Sequence, residues 1–326
     1  MTEFTTTIIG SGSAKPRNGN LSSCQLLSYN NRLLLIDCCD GACTELLRMG
    51  FSINKIEEVY ITHAHGDHCL GLPCLIATMG LNGKTTSLTV YAPKEAFDIL
   101  CPVIDAMCGK DGEKLPFCLI YREVHLENSL GTTADYTLVI NSSIGLNISA
   151  IPLKHGNLET YGYIFKEQQK KRHINMDAMK KYGIPRGAYE WVREHDWEME
   201  DGTIIPNSKL TFAPETPRAY GYIADTKRYE GLADLLKGVT TLYCEASFMN
   251  KDKELAEKYG HCTSFDAAML ARDTRTVKYL IIGHISARYE SEQMSVMEAR
   301  EIFDITSHAD KSKIGRAVQQ ECRDRS

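Results

Sequence analysis

The chain has 326 residues, of which 43% are hydrophobic and 24% are charged, and its formal net charge is −5. This composition excludes a disordered or fibrous chain and leaves room for a sizeable core, in one large domain or two small ones. The negative balance argues against nucleic-acid binding by the whole surface, although it allows a local basic patch. Because no apolar run reaches the length of a membrane span and no signal peptide opens the chain, we expect a soluble cytoplasmic protein without a membrane partner.

The first third of the chain alternates short β-rich runs with helical patterns. Turn signals separate these runs at Gly12, at residues 16–19 and at Asn30-Asn31. Strands are predicted over residues 4–10, 23–29, 32–38 and 87–92. Helices are predicted over residues 42–49, 70–79 and 93–107.

The middle of the chain is rich in strands, and the last third returns to alternation. Strands are predicted over residues 117–124, 136–141, 146–153 and 161–165. Strand and helix patterns then alternate through residues 221–224, 240–245, 264–273 and 278–282. Strands with helices in two separate halves favour a sandwich of two sheets flanked by helices, formed by a single domain over residues 1–310.

Two segments depart from this rhythm. Residues 168–214 are polar and charged with little apolar periodicity, which predicts a projecting insertion. The insertion opens with a basic run, Lys170, Lys171 and Arg172, which is either a solvated face or a contact with nucleic acid. Residues 311–326 form a charged C-terminal tail without an apolar face, for which we expect a frayed helix or disorder.

The chain has twelve cysteines. They lack the dense spacing of a small disulfide-bonded domain, and no Cys-x-x-Cys pair is present. We therefore expect reduced and mostly buried thiols that pack as small hydrophobic groups, with a thiolate metal ligand as the alternative.

The densest motif is the run Thr-His-Ala-His-Gly-Asp-His at residues 62–68, which follows an apolar strand. Because alternate residues of a strand point to one side, His63 and His65 emerge together from its end. A glycine then lets the backbone turn, so that Asp67 and His68 can point toward a second position beside the first. Imidazole and carboxylate suit Zn²⁺ and similar divalent ions, and a pair of such ions activates a hydrolytic water. The run therefore predicts two metal sites.

Two metals need more ligands than this run supplies. His155, Asp225 and His284 each follow an apolar run that would carry them to one edge of a sheet. Taken singly, each of them would more often be structural. A carboxylate can bridge two cations, which a neutral imidazole cannot do. The predicted assignment is His63, His65 and His155 on one metal, Asp67, His68 and His284 on the other, and Asp225 between them.

Glu245 and His261 are a second pair of polar candidates. A carboxylate that keeps an imidazole protonated is what a general acid needs in order to protonate a leaving group. The alternative for His261 is a structural position at the start of the helix that follows Thr263.

The N-terminal loop Gly-Ser-Gly-Ser-Ala-Lys at residues 10–15 invites a phosphate-loop interpretation. It lacks the third glycine of the dinucleotide fingerprint and the Gly-Lys-Ser/Thr of a P-loop. We expect a turn beside the metal edge, where Lys15 or Arg17 could contact a substrate phosphate.

These residues resemble a known family. The run at 62–68 is the signature of metallo-β-lactamase-fold hydrolases, and further segments are similar to ribonuclease Z, the tRNA 3′-end endonuclease. In the same order as in that family, these segments are residues 10–14 (GSGSA), 33–41 (LLLIDCCDG), 68–75 (HCLGLPCL), 183–187 (GIPRG), 200–202, 225–226, 245–248, 260–263 and 284–289 (HISARY). The segments at 183–187 and 284–289 are the most specific.

The resemblance implies the α/β class and the αββα four-layer sandwich of the metallo-β-lactamase fold, with residues 168–214 as an inserted substrate-binding arm. It implies a homodimer with two zinc ions per subunit, Mn²⁺ or Fe²⁺ being the alternatives. It assigns the same seven ligands, with Asp67 also serving as the base and Glu245 and His261 as the proton-donating pair. The basic run falls in the region of the arm that grips tRNA.

The chain also departs from the family pattern. The family's His-Glu-Ala-Thr and His-Ser-Thr motifs read Cys244-Glu245-Ala246-Ser247 and His261-Cys262-Thr263 here. The Gly-Pro of the arm, the Arg-Asn of the N-terminal loop and the Gly-Asp before Thr226 read Gly187-Ala188, Gly19-Asn20 and Ala224-Asp225. Both tRNA-facing segments are therefore changed while every ligand is kept, so the sequence supports hydrolysis more firmly than it supports a substrate.

The resulting hypothesis is a zinc-dependent endoribonuclease that cuts precursor tRNA beyond its acceptor stem and leaves a 3′-hydroxyl tRNA and a 5′-phosphate trailer. One alternative is a hydrolase of a small phosphodiester, ester or lactone on the same fold. The other is a non-catalytic RNA-binding homologue whose zinc ions are structural.

Overall fold

The computed structural model describes residues 4–15, 19–126, 138–141 and 145–310, with the backbone alone for residues 138–141. The predicted C-terminal tail lies outside these residues. The chain divides into a larger unit, made of the residues up to 166 and from 219 onward, and a smaller unit, residues 167–218.

The N-terminal part of the larger unit forms a six-stranded sheet and four helices. The strands are β1 (Phe4–Gly10), β2 (Cys24–Tyr29), β3 (Arg32–Ile36), β4 (Ile56–Tyr60), β5 (Leu88–Ala92) and β6 (Leu119–Glu123). The helices are α1 (Ala42–Arg48), α2 (Gly66–Cys69), α3 (Leu72–Leu81) and α4 (Lys94–Cys108). The strands lie in chain order; β1, β2 and β3 pair antiparallel, and the pairs from β3 to β6 are parallel.

The next three strands are β7 (Leu138–Asn141), β8 (Leu146–His155) and β9 (Leu158–Glu167), and the chain then enters the smaller unit. That unit has two short antiparallel pairs, β10 (His173–Ile174) with β13 (Thr211–Phe212) and β11 (Trp197–Glu198) with β12 (Ile204–Ile205). Its helices are α5 (Met176–Lys181) and α6 (Asn207–Leu210). It has an apolar cluster of its own, formed by Ala178, Met179, Ile184, Val192, Ile205 and Leu210.

The remaining elements complete the larger unit. The strands are β14 (Ala219–Ile223), β15 (Thr241–Glu245), β16 (Tyr279–Gly283) and β17 (Thr306–His308). The helices are α7 (Leu232–Leu235), α8 (Lys253–Tyr259), α9 (Ser264–Thr274) and α10 (Glu292–Arg300). The second sheet has the order β17-β16-β15-β14-β9-β8-β7, in which β14 to β17 are parallel and β9 is antiparallel to β14.

Three apolar clusters define the layers of the larger unit. The first lies between the first sheet and helices α1, α3 and α4, and includes Leu46, Leu75 and Leu100. The second joins the two sheets and includes Tyr60 and Tyr163. The third covers the other face of the second sheet with α7, α9 and α10. Strands that are covered on both faces need nearly continuous apolar sequence, and β16, with the sequence Tyr-Leu-Ile-Ile-Gly, lies within the second sheet between β15 and β17.

The predicted αββα four-layer sandwich is therefore confirmed. Outside the smaller unit the sequence missed α2, α7, α8, α10 and β17, which are short and have few apolar residues to set a period. The 168–214 segment falls within the smaller unit. Among the described residues no helix is both long and apolar enough to span a membrane.

Candidate metal centre

The candidate site lies in the larger unit, where strands of both sheets end. Asp37 follows β3, and the run at 62–68 follows β4. In the second sheet His155 and Glu245 are the last residues of β8 and β15, while Asp225 and His284 follow β14 and β16. Side chains at the carboxyl ends of neighbouring strands meet at one edge, as the sequence predicts.

The first group of candidate ligands is His63, His65, His155 and Asp225, whose ligand atoms lie within 4.8 Å of one another. Oδ2 of Asp225 is 3.8 Å from Nε2 of His63 and 3.9 Å from Nε2 of His155. Nε2 of His63 is 3.1 Å from Nδ1 of His65. These three imidazoles and one carboxylate oxygen lie close enough together to bind one metal ion.

The second group is Asp67, His68 and His284. Oδ1 of Asp225 is 3.5 Å from Nε2 of His68 and 3.4 Å from Nε2 of His284. Both of these nitrogens are 3.6 Å from Oδ2 of Asp67. Each oxygen of Asp225 therefore faces a different group of histidines.

Four atoms at the centre of the site are buried without a hydrogen-bond partner among the described residues: Asp67 Oδ2, His68 Nε2, Asp225 Oδ1 and His284 Nε2. Buried polar atoms are normally paired, since an unpaired one loses its contact with water and gains nothing in return. Four such atoms that face one another could all be satisfied by a bound cation. The arrangement is that of a metal-binding site.

The pKa values of the candidate ligands agree with a metal-binding site. Burial lowers the pKa of His63 well below its usual value, and the charge of His68 adds to the effect. Burial alone would raise the pKa of Asp67, but the nearby imidazoles of His284 and His68 outweigh burial and lower the pKa to about 2. Burial opposes protonation of His68, but Asp225 and Asp37 outweigh it and raise the pKa of His68. The buried carboxylates thus make the centre attractive to positive charge.

Asp37 and Thr62 support the second group, and the sequence did not single out either. Asp37 is buried at a positive φ of 55°, and its carboxylate accepts hydrogen bonds from the Thr62 amide at 2.9 Å and from the Tyr222 hydroxyl at 3.0 Å. It lies 2.8 Å from Nδ1 of His68. If Nδ1 donates to Asp37, Nε2 of His68 is left as a ligand, which is the usual way in which a carboxylate orients a metal-binding histidine.

His155 is oriented by the backbone. Its Nδ1 lies 3.0 Å from the carbonyl oxygen of Gly260. Gly260 has a φ of 73°, and a Cβ there would come within 3.0 Å of the Gly156 nitrogen. A glycine is therefore needed at this point for the carbonyl to reach His155.

Glu245 and His261 form the pair that the sequence predicts. Oε1 of Glu245 is 2.8 Å from Nδ1 of His261 and accepts the Thr226 amide at 2.8 Å. Oε2 accepts the hydroxyl of Ser247 at 2.7 Å. Burial lowers the pKa of His261, but the charge and hydrogen bond of Glu245 outweigh it and raise it to about 9. His261 is therefore protonated at neutral pH. Its ring centroid lies 4.8 Å from that of His155, a candidate ligand.

The N-terminal loop lies beside this edge. The amide of His284 donates to the carbonyl of Ser11 at 2.7 Å, and Gly12 forms a parallel bridge with Ile285. The loop therefore lies beside the metal edge, as predicted, while residues 16–18 lie outside the described residues. Lys15 is exposed, while Arg17 lies outside the described residues.

The basic run of the smaller unit contacts residues within that unit. Nζ of Lys170 is 3.7 Å from a carboxylate oxygen of Glu215, and Nζ of Lys171 is 2.9 Å from one of Glu190. Nε of Arg172 donates to the Thr211 hydroxyl at 2.6 Å. A substrate phosphate would have to compete with these partners.

The cysteines that the structure describes are all free thiols, and most are buried. None belongs to the groups of candidate ligands among the described residues. Burial raises the pKa of Cys38 well above its usual value. The prediction of reduced thiols used for packing is confirmed for this part of the chain.

Comparison with known proteins finds relatives that cover nearly the whole chain. The family model described as Anti-Pycsar protein Apyc1 matches residues 4–178. Ribonuclease Z of Parabacteroides distasonis is 34% identical over 304 residues, which are 93% of this chain and 95% of that protein. Ribonuclease Z of Porphyromonas gingivalis is 33% identical over 312 residues, 95% of this chain and 98% of that protein. Human tRNase Z, short form, superposes with a TM-score of 0.63 at 20% identity, over 87% of this chain and 93% of that one, a likeness of fold.

Proposed function

The chain belongs to the ribonuclease Z family, and on that premise we propose that it is a zinc-dependent endoribonuclease that cuts precursor tRNA just beyond the acceptor stem. Residues 4–178 belong also to the family of the Apyc1 model. The chain is a metal-dependent hydrolase. The products would be a tRNA with a 3′-hydroxyl and a trailer with a 5′-phosphate.

The observation that carries the proposal is the position of the Glu245–His261 pair. The Nδ1 of His261 is 2.8 Å from Glu245, and the ring centroid of His261 is 5.6 Å from that of His284. A proton donor therefore lies at the edge of the metal centre, where a hydrolysed phosphodiester needs its leaving oxygen protonated.

We assign two zinc ions to the centre, held by the two groups described above with Asp225 between them. Three imidazoles with a carboxylate oxygen suit zinc, with Mn²⁺ or Fe²⁺ as the alternatives. When bound, such ions activate water and stabilise charge on phosphoryl oxygens.

The residues of the chain supply the proton transfers. Asp67 accepts the proton of the attacking water, and His261 donates its Nε2 proton to the 3′ oxygen as the bond between that oxygen and phosphorus breaks. Glu245 holds the imidazolium through Nδ1 and so orients Nε2 toward the leaving group. Removing any of these groups should slow the chemical step.

The proposal includes the smaller unit as the arm that contacts tRNA, with Lys170, Lys171 and Arg172 as phosphate contacts, together with Lys15 and Arg17 near the cut. It also includes a homodimer and a cytoplasmic location, which the sequence predicts. Binding through phosphates should weaken steeply as salt increases. Light scattering of the purified chain would test the dimer.

The alternative of a small-substrate hydrolase is favoured by the contacts of the basic run with Glu215 and Glu190 and by the changed dipeptides at 19–20 and 187–188. His261→Ala separates the enzymes from a non-catalytic RNA-binding homologue. An endoribonuclease should lose turnover of precursor tRNA by about 10²–10⁴-fold and keep its zinc. Equal cleavage by both forms would contradict the role of His261, and absence of cleavage by the unaltered protein would contradict the endoribonuclease itself.

A further inference from the structure

Beside His261 the larger unit carries three side chains, Tyr259, Phe248 and Arg288, which we name the Tyr259 ledge. The Phe248 ring lies 5.9 Å from the His261 ring and 6.5 Å from the Tyr259 ring between centroids, the latter pair inclined by only 9°. The guanidinium carbon of Arg288 is 4.7 Å from the Phe248 ring centroid. The ledge therefore leads outward from the proton donor.

Two members of the ledge are open to a ligand. Tyr259 is 51% exposed, and Nζ of Lys258 lies 5.2 Å from its ring centroid. Arg288 is exposed; its Nε is 3.3 Å from the Ser286 hydroxyl, and among the described residues it has no carboxylate within ion-pair distance. An exposed aromatic ring and an unneutralised guanidinium, both next to Phe248, suit a base and a phosphate.

Two carboxylates near the ledge, those of Asp252 and Glu257, have other partners. Oδ2 of Asp252 accepts the Tyr289 hydroxyl at 2.6 Å, and Oε1 of Glu257 is 2.9 Å from Nζ of Lys227. They therefore leave the positive charge of Arg288 available to an anion.

We infer that the Tyr259 ledge binds the nucleotide that carries the leaving 3′ oxygen, with its base stacked on Tyr259 and its 5′ phosphate on Arg288. The inference rests on the proposed function, because His261 donates its proton to that oxygen. The base is attached to the ribose that carries this oxygen and lies only a few bonds from it. When the oxygen is at His261, the base is therefore within reach of the Tyr259 ledge. Phe248 supports the Tyr259 ring from the buried side.

The test is titration calorimetry of the full-length, zinc-loaded protein with two probes, adenosine 5′-monophosphate and ribose 5-phosphate. Both carry the phosphate, and only the first carries a base. The unaltered protein should bind the first about tenfold more tightly, since stacking of a base on an aromatic ring is worth about that much. Tyr259→Ala should bind both equally, and Tyr259→Phe should keep the tenfold preference.

Two further variants sharpen the result. Arg288→Gln should weaken both probes by a similar factor, because it removes a phosphate contact. Tyr182→Ala is the matched control: Tyr182 also has a lysine over its ring, Lys181 at 5.3 Å, but it lies in the smaller unit, and the preference should remain. Equal binding of both probes by the unaltered protein, or a preference that survives in Tyr259→Ala, would overturn the inference.

Cleavage of precursor tRNA is measured separately with the same variants. Tyr259→Ala should raise KM about tenfold with little change in kcat. If the unaltered protein leaves precursor tRNA uncut, the proposed function fails, and the calorimetric comparison still decides whether the ledge binds a nucleotide.

Discussion

The hydroxyl of Ser247 lies 2.8 Å from Nδ1 of His284. The same hydroxyl donates to Oε2 of Glu245 at 2.7 Å, so its oxygen is available to accept a hydrogen bond from Nδ1 of His284. This orientation leaves Nε2 of His284 facing Asp225. One serine thus connects a candidate ligand with the pair that supplies the proton.

Ser247→Ala should therefore weaken zinc binding by about 10–100-fold, the usual effect of removing a group that orients a metal-binding histidine. Ser247→Thr keeps the hydroxyl and should bind zinc as the unaltered protein does. Competition with a chromogenic chelator measures the affinity. Equal affinity of Ser247→Ala would show that Ser247 does not orient His284.

Asp225 should matter for both metals, since its oxygens face different groups. Asp225→Ala should lose both zinc ions, whereas His65→Ala should lose only the ion of the first group and keep about one per chain. Elemental analysis of protein dialysed at neutral pH gives the count. Loss of a single ion from Asp225→Ala would contradict the bridging role.

Asp37→Ala should destabilise the metal-free fold by about 2–5 kcal/mol, because it leaves the buried donors of Thr62, Tyr222 and His68 without an acceptor. Asp40→Ala, at a neighbouring exposed position, should change the free energy of unfolding by about 0.5 kcal/mol or less. Urea denaturation in the presence of a chelator compares the two. Similar midpoints would mean that Asp37 is not needed for the fold.

The contrast between Asp37 and the histidine run shows what the sequence can predict. The run places four candidate ligands within six positions, and the rule that strand ends meet at one edge brings in His155, Asp225 and His284. A single aspartate after a strand is common, and the donors around Asp37 come from Thr62, His68 and Tyr222, which are brought together only by the fold. Sequence patterns therefore predict the ligands but not the groups that orient them.

The smaller unit was also hard to predict. Its apolar cluster draws single residues from short elements, such as Met179 from α5 and Leu210 from α6. No segment is long enough for its apolar residues to show the spacing of a helix or a strand. The sequence therefore predicts only a polar insertion.

Glu167 and Arg218, the first and last residues of the smaller unit, form an ion pair. Oε1 of Glu167 accepts a hydrogen bond from Nη2 of Arg218 at 2.6 Å, and Oε2 accepts one from Nε of Arg218 at 2.9 Å. Burial raises the pKa of Glu167, but the bonds from Arg218 outweigh it and lower the pKa below its usual 4.5. Because the folded pKa is lowered, this stabilisation is complete above pH 4.5 and is lost as the pH falls through the lowered value.

Glu167→Gln should accordingly destabilise the smaller unit by about 2 kcal/mol at pH 7, and the difference should shrink as the pH falls below 4.5. Both tryptophans of the chain, Trp191 and Trp197, lie in this unit, so their fluorescence reports its unfolding in urea. Glu190→Gln breaks an exposed pair and should cost less than about 1 kcal/mol. A difference that did not shrink at any pH below 4.5 would contradict the role of the Glu167 charge.

This metal centre should hydrolyse the 3′ extension of precursor tRNA. The most direct measurement is incubation of the zinc-loaded protein with a 3′-extended precursor tRNA labelled at its 5′ end, with the cut mapped at nucleotide resolution. We expect a single cut just beyond the acceptor stem, a 3′-hydroxyl on the tRNA, and loss of cleavage in Asp67→Ala. A precursor tRNA left intact by protein that cleaves a small phosphodiester would contradict it.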